Sequence, residues 1–182
     1  DGFHDVQAPL HWRQDRDISG LNVLAMGILH EAALRWAPDP TRVFAQMTTF
    51  APDRPDGVAT IVDSVQVMTE IQGGARGLYH LSGIGLFGPG FHLHLYGSHG
   101  TIRVDLGAGT LMIGTVGDEA LHQPNIPEEQ QGGWRVEDEF IGAIRGTETI
   151  RLTDFATGVK YMEFTEAVAI SSRERRSVDL PL

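Results

Sequence analysis

The residues of this sequence best suited to chemistry are a lone histidine, an asparagine, an arginine–tryptophan pair and two histidines one residue apart. His30 titrates near neutrality, so it is the candidate catalytic acid or base; it also reads as an amphipathic histidine at a helix edge. Asn22 can hydrogen-bond a substrate hydroxyl, or serve the backbone of a helix start. Arg13 can grip a carboxylate or phosphate of a sugar acid with two parallel bonds, with Trp12 beside it in the same binding role. The plainer reading of Arg13 is an ion pair with Asp15 or Asp17. His92 and His94 form H-x-H on a strand, on one face and about 7 Å apart. With a distant acid they could hold a metal, but no spacing supplies a third ligand, so a polar sheet face against another subunit is preferred. Lys160 and Tyr161 suggest a dehydrogenase couple, yet adjacent helical residues point about 100° apart.

One further motif competes for attention. Gly83, Gly85 and Gly88 in "GIGLFGPG" spell G-x-G-x-x-G, the pattern of a dinucleotide-binding loop. That loop works because a helix follows it and points free N–H groups at the pyrophosphate. Here Pro89 and Gly90 intervene, and "FHLHLYG" alternates with period two. The stretch therefore reads as a strand end and turn, and no cofactor is expected to bind this chain by itself.

The elements that hold these residues follow from pattern. The chain has 182 residues, 41% hydrophobic and 21% charged, which suits one globular domain. A net charge of -10 gives no field to gather phosphates, so nucleic acid is an unfavoured partner. The absence of cysteine excludes disulfides, thiolate metal sites and a cysteine nucleophile, and fits a cytoplasmic location. No apolar run has the length of a membrane span, so no membrane partner is expected.

Ser19 reads as the N-cap of a helix at about 21 to 36, stopped by Pro38 and Pro40. Residues 42 to 116 are rich in Val, Ile, Thr and aromatics and punctuated by glycine, which predicts an antiparallel meander. Val65, Val67, Thr69 and Ile71 share one face, while Leu93 and Leu95 oppose His92, His94 and Tyr96. Val136, Phe140 and Ile144 stand four apart and predict an amphipathic helix; a second helix follows, with Thr153 as N-cap, and "RRSVDLPL" returns as a strand. The fold class is α+β: one open, mostly antiparallel sheet with three helices on one face, spanning 1–182 as a single domain.

"HWRQDRDISGLNVLAMGILHEAALRW", "LYGSHGTIRVDL" and "WRVEDEFIGAIRG" in this order resemble the C-terminal domain of the glucose-fructose oxidoreductase / inositol dehydrogenase / rhizopine catabolism (Gfo/Idh/MocA) family. The resemblance implies a dihydrodipicolinate-reductase-like sheet domain that shapes a sugar or cyclitol site. NAD(P) would bind in a separate Rossmann domain that this chain lacks. It further implies a homo-oligomer through the open sheet face, taken here as the His92, His94 and Tyr96 side. The family's helix usually carries an Asp, a His and a second Asp ahead of an Arg-Trp pair. Anchored on Gly27 and on Arg35 and Trp36, those positions hold Ala25, Leu29 and Ala32. A one-residue slip would put His30 on the histidine. Loss of the acid–base groups favours, as the alternative, a non-enzymatic ligand-binding domain that self-associates.

Overall fold

The computed structural model describes residues 3–182. A 3-10 turn at Trp12–Gln14 leads into the single-turn α1 (Arg16–Ser19) and then α2 (Met26–Leu34). Next come β1 (Pro40–Thr48), β2 (Asp53–Arg54), β3 (Gly57–Val58), β4 (Ser64–Ile71), β5 (Arg76–Ser82), β6 (His92–Gly97), β7 (Gly100–Asp105) and β8 (Thr110–Thr115). α3 (Val136–Arg145), α4 (Phe155–Glu174) and β9 (Val178–Asp179) complete the order.

The first helix departs from expectation. Ser19 ends α1, whose N-cap is Asp15 accepting from the Asp17 N–H. Leu24 and Ala25 then take left-handed backbone angles (φ 53 and 57), which no right-handed helix can pass through, so α2 starts at Met26 rather than near 21. Asn22 serves the helix start from outside: its Oδ1 accepts the Gly27 N–H at 2.7 Å. A Cβ on Gly27 would lie 2.9 Å from that oxygen, which is why glycine fits there. At α4 the cap is Asp154, accepting from the Thr157 N–H, and not Thr153.

The chain divides into two compact units, one running through Leu86 and resuming at Ile150–Leu182, the other Phe87–Thr149. The first holds an antiparallel sheet in the order β5-β4-β1-β9, plus the β2-β3 ribbon. Alternation puts Val43, Ala45, Val65, Val67 and Leu81 on one face, where they form the core with Met26 of α2 and Phe164 and Val168 of α4. β9 pairs with β1 at Arg42 and Val43 alone. Beyond that point α4 takes over: Ser171 and Ser172 hydroxyls accept the Ala45 and Met47 N–H groups, each at 2.9 Å. Helices α1, α2 and α4 lie in this unit, whereas α3 belongs to the other.

The second unit carries a three-stranded meander in the order β6-β7-β8. His92, His94 and Tyr96 share a face with Asp105, Arg103 and Thr101 of β7, opposite Leu93, Leu95, Ile102 and Val104. A Cβ on Gly100 would lie 2.3 Å from the Gly114 carbonyl, so the approach of β7 to β8 requires glycine. On α3 the stripe of Val136, Phe140 and Ile144 is exposed, against the amphipathic expectation, while Glu139 and Gly142 are buried. Arg135 and Glu148 set that orientation by pairing across the base of the helix, with Glu148 lying against Gly142.

The expected single sheet is thus two sheets and a ribbon. Residues 83–91 make the break: Phe87 and Gly90 have positive φ (58 and 77) and Pro89 has no N–H to donate, so β5 and β6 never pair.

Candidate functional site

The glycine-rich stretch is irregular chain with no helix after it. The Gly83 carbonyl accepts the Phe3 N–H at 2.7 Å, and a Cβ there would come within 2.6 Å of the Phe3 ring. Close approach of two segments explains Gly83; a phosphate cradle does not.

The substrate-side candidates all precede α2 in the chain. Trp12 and Arg13 are exposed at the turn before α1, with the Arg13 guanidinium 4.2 Å above the Trp12 ring centroid. The ion pairs considered for Arg13 do not form: among the described residues no carboxylate lies within ion-pair distance of it. Its charge is therefore spread over an aromatic face, with the guanidinium edge open to a ligand. Asn22 is exposed, and with Oδ1 committed to Gly27 it has its amide N–H groups to offer a solute.

His30 corrects its expected placement at a helix edge. It is 2% exposed and lies flat on Phe164, with ring centroids 3.7 Å apart. Its Nδ1 meets the Tyr79 hydroxyl at 3.0 Å. Burial pulls its pKa down to about 4, only partly offset by the field of Asp39, and pushes Tyr79 up to about 12. A general acid or base must come within hydrogen-bond reach of the proton it moves, and this ring meets no open surface. Tyr79, its partner, was missed; its place on the inner side of alternating "ARGLYHLS" was the signal available.

The neighbouring polar contacts hold α2 and α4 in place. Glu31 is buried and accepts from Arg35 at 2.8 Å and from the Thr153 hydroxyl. Lys160 pairs with Asp39 at 2.7 Å, which raises its pKa, so it forms no couple with Tyr161. Ala25 and Leu29 carry no polar side chain, and Leu29 borders the core.

In the second unit the rings of His92 and His94 are 4.9 Å apart and the His94 Nδ1 lies 3.2 Å from the Tyr96 hydroxyl. Partial desolvation, then His92 and Arg103, hold His94 below its ordinary pKa. Among the described residues no group of three or more His, Asp or Glu could hold a metal ion. No helix there is long and apolar enough to cross a membrane.

Comparison with known proteins decides the lineage. The family described as GFO/IDH/MocA C-terminal domain matches residues 1–103. The chain belongs to this family. Solved structures agree with it in fold. Levoglucosan dehydrogenase in complex with NADH and L-sorbose superposes with a TM-score of 0.85 at 20% identity, over 100% of this chain and 56% of that one. An NAD binding oxidoreductase from Klebsiella pneumoniae gives 0.82 at 19% identity, over 100% and 57%. The aldose-aldose oxidoreductase from Caulobacter crescentus, complexed with glycerol, gives 0.73 at 19% identity, over 96% and 52%. The chain thus spans little more than half the length of the family members it superposes on. No curated protein sequence matches it. The α+β class with open antiparallel sheets is therefore that of the Gfo/Idh/MocA C-terminal domain.

Proposed function

We propose that this chain is the substrate-binding and oligomerisation domain of an NAD(P)-dependent oxidoreductase acting on a sugar or cyclitol. The nucleotide would be held by a Rossmann domain outside residues 1–182. The observation that carries this reading is the superposition of the whole chain on 56% of an enzyme described in complex with NADH and levoglucosan. On this reading the Trp12 ring covers the apolar face of a sugar ring, Arg13 grips an oxygen-rich edge, and Asn22 donates to a hydroxyl. His30 takes part through Tyr79 and the contact between α2 and α4, and transfers no proton to the substrate. The homo-oligomer forms through the face bearing His92, His94 and Tyr96, since exposed aromatic and imidazole rings left in water favour association with a symmetry mate.

Arg13→Ala in the complete gene product should raise KM for the sugar by about tenfold with little change in kcat, the mark of lost uniform binding. A variant with unchanged KM would remove Arg13 from the site.

A second reading rests on Ala25, Leu29 and Ala32, which leave the family's acid–base positions apolar. In that case the chain is a non-enzymatic, self-associating ligand-binding domain, and sugar binding would persist without hydride transfer.

A further inference from the structure

The β2-β3 ribbon holds a group that the reading above does not use. Arg54 is 8% exposed, and charged side chains rarely go so deep without a partner. Its guanidinium donates to the carbonyls of Phe3 at 2.8 Å and Asp53 at 3.2 Å. Among the described residues no carboxylate lies within ion-pair distance of it. Asp63 accepts from the Phe50 and Ala51 N–H groups, and Asp56 from that of Leu10, so neither is bonded to Arg54. A guanidinium has about five N–H donors in a fixed fork, so two carbonyl bonds leave capacity unused.

Arg54 also forms part of the wall of an open cleft of about 510 Å³, with Val6, Gln7, Phe50, Pro52 and Asp53. A buried cation without a counter-charge, bordering open space, is stabilised by any anion that enters. Phe50 stands 66% exposed in the same wall, with its backbone fixed by the bonds to Asp63. It offers an apolar platform beside the charge. Gln7 is exposed and adds an amide. The exposed carboxylate of Asp53 and the net charge of -10 work against a dianion such as phosphate.

We propose that this cleft binds a small organic monocarboxylate, whose carboxylate takes the free edge of Arg54 and whose body rests on Phe50. The proposal is independent of the oxidoreductase reading, because none of Val6, Gln7, Phe50, Pro52, Asp53 and Arg54 is among the residues assigned to the sugar.

Benzoate, its uncharged counterpart benzamide, and inorganic phosphate, each titrated into isotope-labelled protein at neutral pH, test it by amide chemical shifts. Benzoate should give saturating shifts at Val6, Gln7, Phe50 and Asp53, with benzamide about tenfold weaker for want of the charge-assisted bonds. Phe50→Ala should weaken benzoate by about threefold or more while leaving the thermal midpoint in place, since the ring is exposed. Arg54→Lys, which keeps the charge and loses the fork, should weaken it by about tenfold. Should Arg54→Lys fail to fold, Phe50→Ala and the benzamide comparison still decide. Benzamide binding as well as benzoate, phosphate binding more tightly, an unaffected Phe50→Ala, or no saturation in the millimolar range would each overturn the proposal.

Discussion

His30 ties its protonation to the fold. Its pKa falls from an ordinary 6.5 to about 4 because the ring is enclosed between Phe164 and Tyr79. A lowered histidine pKa means that the unfolded chain binds the extra proton between those two values. Stability from this group is therefore complete above pH 6.5 and is lost as pH falls towards 4. The upper limit of that loss is about 3 kcal/mol. Denaturant midpoints measured between pH 7 and 4 should fall more steeply for the native protein than for His30→Gln. Parallel curves would mean that His30 is exposed in solution. The type of this residue was legible, as a group that titrates near neutrality. Its burial was not, because the left-handed turn at Leu24 and Ala25 shifts the start of α2, and no local pattern signals two non-glycine residues in that region. For Asn22 the backbone role was among the readings open from sequence, and the bond to Gly27 realises it.

At the scale of elements, α4 completes the sheet as well as covering it. Ser171 is buried, and its hydroxyl accepts from Ala45 and donates to the Arg176 carbonyl at 2.6 Å. Ser171→Ala should cost about 1–3 kcal/mol, because a buried N–H of β1 loses its acceptor where β9 no longer reaches. The change is read as a shift in denaturant midpoint with an unchanged m value. A loss well under 1 kcal/mol would mean that water or a shifted β9 satisfies β1. Strand alternation made the inner faces of β4 and β6 legible, because a period of two leaves little choice once one face is buried. The stripe on α3 misled: Val136, Phe140 and Ile144 fit a core-facing helix, but the ion pair of Arg135 with Glu148 and the close approach at Gly142 turn the other side inward. The interrupted sheet was half visible, since Pro89 and Gly90 flagged a break that the meander reading passed over.

For the molecule as a whole, the order of motifs carried more than any single one. "LYGSHGTIRVDL" followed by "WRVEDEFIGAIRG" pointed to the Gfo/Idh/MocA C-terminal domain, and the family match and the superpositions bear that out. The dinucleotide pattern at Gly83, Gly85 and Gly88 lacks the helix that the motif needs, and Gly83 has a local reason in its contact with Phe3. Self-association belongs to this scale too. Sedimentation of the chain should give a dimer or larger species at micromolar concentration, and Tyr96→Arg should shift it to monomer by placing charge in the shared face. Monomer at all concentrations would remove that face from the account. The candidate site stayed faint in the sequence because Trp12, Arg13 and Asn22 are common surface types and Ala25, Leu29 and Ala32 are apolar.

The central claim is that these residues serve an enzyme whose nucleotide lies elsewhere. Its most direct test is hydride transfer by the complete gene product, followed as NAD(P)H formation with levoglucosan, L-sorbose and a cyclitol, beside a calorimetric titration of NADH into residues 1–182 alone. The account predicts turnover of at least one sugar or cyclitol by the complete protein and no NADH binding by residues 1–182. Micromolar NADH binding to the isolated chain, or no turnover of any sugar by a complete protein that does bind NADH, would contradict it.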